Sequence, residues 1–275
     1  MQKIDFGRIK GEKKGNPHIP STIQADTLFT FTDCLEYILS PIREKKLFPR
    51  YCTEDISYLG IRNLKMIAFP MKCFCDINMH RLGVHLQWYG YYGLAFSKEW
   101  GMRNNIQPIQ YINPQSALRK DFCKAFSEAL QVDETMSSQT VRTMQNFLLH
   151  ELMYYKPYSG KMKHPVSKKN VKKCFADECE WRYIADVTVA GYEQVFYDQQ
   201  ILNAGNLYKL SDSLQLVKSI ALNFEYTDLK YIIVARTEDF EVLAKEIQGW
   251  RSISEEDKQL LLSKIIIWEV SKGDF

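Results

Sequence analysis

Residues 28–33, Leu-Phe-Thr-Phe-Thr-Asp, are β-branched and aromatic and predict a strand, while residues 34–39 place apolar positions at helical spacing behind it. Asp33 is a suitable N-cap for that helix, and Pro49 closes the segment after Leu47 and Phe48. Residues 65–77, KMIAFPMKCFCDI, predict a second strand, with Pro70 implying an edge position or a break. The stretch from His85 to Trp100 is the densest aromatic run and reads as an extended segment punctuated by Gly90 and Gly93, where positive φ or close backbone approach is allowed. Ile106–Ile112, split by Pro108, reads as a short strand.

Helical periodicity dominates the middle of the chain. Ser116–Val132 and a helix from Ser137 or Ser138 to Tyr155 both carry apolar residues at three- and four-residue steps. Lys156–Lys173 holds seven lysines and His164 with no acid, broken by Pro157, Gly160 and Pro165, and predicts a flexible basic loop. Extended structure returns over Phe175–Val189, and a short helix is expected at Leu214–Ala221. Tyr231–Ala235 reads as a buried strand, Asp239–Ile247 and Ser254–Leu262 as helices, and Ile265–Val270 as a final strand. The class is α+β: a mixed or antiparallel sheet core in one domain, residues 23–275, with a helical insertion at about 115–157. Ahead of it, residues 1–22 form a flexible basic arm with Lys3, Arg8, Lys10, Lys13 and Lys14 among glycines.

Composition narrows the class of function. In 275 residues, 36 basic and 33 acidic side chains leave a net charge of +3, too little for nucleic-acid binding by bulk charge, so any such contact is local. No apolar run approaches the ~20 residues that span a bilayer, and the first residues lack the apolar centre of a signal peptide, so a cytoplasmic protein with no membrane contact is expected. Seven cysteines fit free thiols in a reducing compartment. Cys73 and Cys75 would share one strand face as small hydrophobes, and their spacing from Cys174 and Cys179 is poor for zinc, so no metal site is expected. The aromatic share of 13% argues against a disordered scaffold.

No phosphate loop, dinucleotide fingerprint, nucleophile elbow or zinc-protease motif occurs. Three clusters remain as candidates for chemistry. Thr30 and Thr32 end the first strand. Tyr92, Ser97, Lys98 and Trp100 follow the glycine-punctuated aromatics and are placed either to line a pocket for a nucleobase or nicotinamide, or to wall the core. Glu178, Glu180 and Arg182 alternate, so a strand projects them to one face, opposite Cys179, Trp181 and Tyr183. They are either a solvated edge with a Glu180–Arg182 ion pair or a catalytic set in which a glutamate orients a ribose hydroxyl. Lys168, Lys169, Lys172 and Lys173 are candidates for nucleic-acid phosphates, or form a solvated loop.

Three strings together resemble the AbiGi abortive-infection family of bacterial phage-resistance proteins: Leu28–Asp33 with its helix, Cys73–Ile77 through Tyr92–Gly101, and Asp177–Tyr183. The resemblance covers about residues 25–270. It implies anti-phage defence, as the antitoxin or regulatory half of a two-gene system whose partner resembles a nucleotidyltransferase. Family members favour a basic residue where this chain has Cys179 between the glutamates, so that position is given no role. A weaker similarity follows the order of elements in ADP-ribosyltransferases. It implies NAD as cofactor, Glu180 or Glu178 as the catalytic carboxylate, Tyr92 as a stacking ring and Thr30 or Thr32 as an NAD contact. The chain departs from those enzymes in lacking an Arg or His on the first strand, with Arg50 and His80 as substitutes from elsewhere. A non-catalytic nucleic-acid-binding protein is the further alternative.

Overall fold

The computed structural model describes residues 19–132, 138–201 and 204–274; most of the basic arm lies outside them. Nine strands form one mixed sheet: β1 (Thr27–Thr32), β2 (Arg50–Asp55), β3 (Met66–Cys75), β4 (Tyr92–Ser97), β5 (Gln107–Pro108), β6 (Glu180–Ile184), β7 (Phe196–Tyr197), β8 (Leu229–Val234) and β9 (Ile265–Ile267). The spine runs β9-β8-β4-β1-β3-β6-β5, with β2 and β7 added on β3. Every pairing is antiparallel except β8 with β9. The architecture is α+β, as the periodicity implied.

Strand β3 organises the site. At ten residues it is long enough to take two neighbours on each edge. On one edge β2 pairs from Met66 to Met71, whereas β1 touches only where Phe29 faces Cys75. On the other, β6 pairs from Met71 to Cys75 and β7 at Ile67 and Ala68. Pro70 therefore lies in a central strand and not at an edge. Its missing N–H falls where β6 ends, opposite Met71, and before β7 resumes, opposite Ala68. Between β1 and β2 the sheet forks.

Each face carries two apolar clusters. On the first, Phe29, Cys75, Ala95 and Ile233 meet Leu82 and Leu86 of the helix Leu82–Tyr89. Beside them Ile67, Phe69, Met71 and Ile184 meet Phe122, Phe126, Leu149 and Leu152 from the helices Ala117–Ala129 and Gln139–Tyr154. On the opposite face Leu28, Phe74, Leu94, Phe96 and Ile232 pack against Ile38, Ile42, Leu243, Ile247 and Leu261. Tyr51, Ala68 and Ala185 meet Leu207 and Leu214 there.

Several local expectations change. The His85–Trp100 run is two elements: the helix Leu82–Tyr89 and strand β4, divided by Gly90 at φ 100°. A Cβ on Gly90 would stand 2.1 Å from the Thr32 carbonyl oxygen, so no other residue fits that turn. Burying Leu82 and Leu86 contributes roughly 1.5–3 kcal/mol each, more than the ~1 kcal/mol span of strand preference among the aromatics. Asp33 does not cap the first helix, which spans Glu36–Glu44 and has no side-chain cap. Ser138 and Ser254 do cap theirs, accepting from Val141 N and Asp257 N at 3.3 and 3.1 Å. The helix expected at Leu214–Ala221 lies upstream, at Ala204–Leu214, and the final strand stops at Ile267. The basic loop is instead a hairpin, Ser159–Lys163 with Asn170–Cys174, closed by five register pairs.

Candidate functional site

The fork between β1 and β2 opens on both faces. On the first face it widens into a cavity of about 640 Å³, floored by Cys73, Cys75, Glu178 and Glu180, walled by Phe29, Phe31, Tyr58, His85 and Tyr89, and roofed by the hairpin. A second cavity of about 820 Å³ on the opposite face takes Thr32, Lys72, Arg50 and Glu36. Thr30 lines both.

Glu180 and Arg182 share the first face of β6, as alternation implied, yet neither is solvated: Arg182 is fully buried and Glu180 is 6% exposed. Glu178 precedes the strand, in the 3₁₀ turn Phe175–Glu178. Cys179 follows in the left-handed region at φ 44°, which costs about 1–2 kcal/mol for an L-residue and swings Glu178 back over the same cavity. The thiol itself points to the neighbouring Ala176 carbonyl at 3.7 Å.

Six ionised groups close into a neutral network. Lys156 donates to Glu178 Oε2 at 2.6 Å and to Glu180 Oε2 at 2.7 Å. Lys173 donates to Glu178 Oε1 at 2.6 Å, beside the Tyr89 hydroxyl, which donates to the same oxygen at 2.5 Å. Arg182 donates through Nε to Glu180 Oε1 at 2.6 Å, through Nη2 to Glu54 Oε1 at 2.9 Å, and through Nη1 to the Met153 carbonyl at 2.7 Å. Both oxygens of each glutamate on the floor are thus occupied. Burial works to raise the Glu180 carboxyl, but Arg182 and Lys156 overcome it and hold the group well below the carboxylate range. Glu178 is held low in the same way by Lys156 and Lys173. Burial would strip Lys156 of its proton, but Glu180, Glu54 and Glu178 hold it far above an ordinary lysine. Burial does depress His85, to about 4, so its ring is neutral at pH 7.

Of the residues singled out from sequence, Thr30, Glu178 and Glu180 line this cavity, with Arg182 and Lys173 behind its floor. The others stand elsewhere. Thr32 lines the opposite cavity, and the Tyr92 hydroxyl donates to Asp239 Oδ2 at 3.2 Å. Ser97 caps the helix Lys98–Arg103, accepting from Trp100 N at 3.2 Å. Lys98 is buried against Asp76 at 2.7 Å and lies 5.5 Å from the Trp181 ring centre. Trp100 is 1% exposed in the core and donates to the Asn223 carbonyl. Lys168, Lys169 and Lys172 are exposed on the hairpin. Arg50 pairs with Asp212 at 3.1 Å, outside this cavity.

Sequence reasoning passed over Glu54, Tyr58, His85, Tyr89 and Lys156 as site residues. The residues 50–55 alternate weakly and end in two acids, so the strand that carries Glu54 was not read from them. Lys156 precedes the hairpin and Lys173 stands on its second strand, and the inward turn of both is set by the glutamates. Cys73 and Cys75 do share one face, and burial lifts both thiols well above the ordinary cysteine value. Among the described residues no group of three His, Cys, Asp or Glu is arranged to hold a metal ion.

Comparison with known proteins supplies the family. The family model described as "Putative abortive phage resistance protein AbiGi, antitoxin" matches residues 45–235. The chain belongs to the AbiGi family. An abortive phage resistance protein AbiGi from Lactococcus lactis subsp. cremoris is 33% identical over 245 residues, covering 82% of this chain and 98% of the relative. No solved structure matches. The AbiGi match runs from before β2 to the end of β8, so it contains all six charged members of the network and leaves out β1. Among the described residues no helix is long and apolar enough to cross a membrane.

Proposed function

We propose that this AbiGi-family chain is the antitoxin of a two-gene abortive-infection system, and that it restrains a toxin protein by binding it through the basic hairpin. The family description as an antitoxin supports a toxin partner. The observation that selects the surface is the sorting of the seven lysines. Lys156 and Lys173 turn inward onto the glutamates, and Lys161, Lys163, Lys168, Lys169 and Lys172 stay exposed with no acid among them. Lys161 stands directly opposite Lys172 across the hairpin, a like-charge pair that costs stability unless an acidic partner covers it. Group transfer from NAD draws less support, because both floor carboxylates are already saturated by cations and Tyr92 and Lys98 lie away from them.

Co-expression with the toxin gene tests the reading. Wild type is expected to restore growth, and the double variant Lys161→Glu, Lys172→Glu to fail while keeping its thermal midpoint. Growth restored equally by both removes the hairpin from the interface. The same lysines also favour a second reading, contact with nucleic-acid phosphates. That reading expects binding to a 20-mer RNA whose salt dependence falls by about one unit of slope for each phosphate-contacting lysine removed from among Lys168, Lys169 and Lys172.

A further inference from the structure

The polar groups around the 640 Å³ cavity fall into two sets. The cations at its floor are all committed to glutamates. Three other groups are uncommitted. Among the described residues the Tyr58 hydroxyl is buried without a hydrogen-bond partner, and no hydrogen bond reaches the second carboxylate oxygen of Glu54 or either ring nitrogen of His85. A buried hydroxyl left unpaired costs stability, so Tyr58 points to a partner outside the chain. Water alone would leave the apolar walls wet: Phe31 lies 5.6 Å from His85, and His85 lies 4.5 Å from Tyr89, ring centre to ring centre. Such a wall suits a flat ring.

The size fits a ligand larger than a bare base, since sites for cofactors and drug-sized molecules run from about 300 to 1,000 Å³. Charge then fixes which end goes where. With no free cation at the floor, an anionic group has no place inside. At the rim Lys161 is exposed, carries no ion pair among the described residues, and belongs to the hairpin that forms the roof.

We propose that this cavity binds a nucleotide, its uncharged heteroaromatic base seated among Phe31, His85 and Tyr58 and its phosphate at the rim on Lys161. Glu54 and Tyr58 supply an acceptor and a donor for ring nitrogens and exocyclic amines. Neutral His85 supplies one of each. The site shares Lys161 with the proposed toxin surface but Tyr58 lies outside it, so Tyr58→Phe is expected to keep growth rescue while it weakens ligand binding, and the two readings fail or succeed separately.

Isothermal titration of the purified full chain decides it, using AMP, GMP, CMP and UMP, the matching nucleosides, and ribose 5-phosphate. At least one nucleotide is expected to bind with submillimolar affinity, its nucleoside about tenfold more weakly, and ribose 5-phosphate not at all. Tyr58→Phe removes only an unpaired hydroxyl and leaves the fold intact; it is expected to weaken nucleotide and nucleoside alike by about fivefold or more, the scale of one lost hydrogen bond. Lys161→Gln is expected to weaken the nucleotide and leave the nucleoside unchanged. The proposal is overturned if none of the four nucleotides binds at millimolar concentration, if ribose 5-phosphate binds as well as the nucleotides, or if Tyr58→Phe changes nothing.

Discussion

Among the described residues two places bury ion pairs, and they do so differently. At the cavity floor three carboxylates and three cations from β2, β6, the second hairpin strand and the segments that flank the hairpin balance one another, and both floor carboxylates are saturated. At Lys98–Asp76 a single pair is buried to a similar depth, Asp76 Oδ1 has no partner among the described residues, and burial raises the Asp76 carboxyl above its ordinary value despite the lysine. The network joins segments as far apart in sequence as Glu54 and Arg182, whereas the pair joins the end of β3 to the helix that follows β4. Full saturation marks a clamp. A half-satisfied pair is a local cost borne by packing around it.

The largest effect is expected from Arg182→Met, which strips Glu180 and Glu54 of their shared cation and leaves buried negative charge. Denaturant unfolding should show a loss of about 3–5 kcal/mol. A loss under 1 kcal/mol would reduce the network to the status of the Lys98 pair. Lys98→Met should cost less, about 2 kcal/mol at neutral pH, because Asp76 is already displaced towards protonation and can neutralise itself.

Acid separates the two places by sign. The folded-state values of Glu178 and Glu180 are depressed, so their contribution is complete above the unfolded carboxylate pKa of about 4.3 and is lost as pH falls through the folded values. Asp76 is raised, so its penalty is relieved as pH falls. His85 at about 4 adds a third slope: the unfolded chain binds its proton from about 6.5 downward and the folded one does not, so stability falls between those values. His85→Phe should flatten the stability curve between pH 6.5 and 4 and leave the steeper loss below 4. The smallest stability change, within about 0.5 kcal/mol, is expected from Lys161→Glu with Lys172→Glu, which are exposed.

The same contrast explains what was legible in the sequence. Alternation over Glu180, Trp181, Arg182 and Tyr183 gave the correct facing, because strand period is a local property. That this face is buried was not local. Its partners Lys156 and Glu54 arrive through the end of a helix and through β2, and the cavity exists because β3 is longer than either neighbour on its forked edge. Helices opened by Ser138 and Ser254 were legible from their caps. The helix Leu82–Tyr89 was not, because its aromatics favour a strand and only the Leu82 and Leu86 spacing pointed the other way.

The clamp is tested most directly by carbon-detected NMR titration of the Glu178 and Glu180 carboxyls in the folded protein. Glu180 is expected to remain ionised from pH 8 down to about 4, and Glu178 to titrate below the ordinary carboxylate value. A carboxyl of either residue that titrates between pH 5 and 8, as a proton-transferring group would, contradicts the assignment of these glutamates as a saturated structural floor.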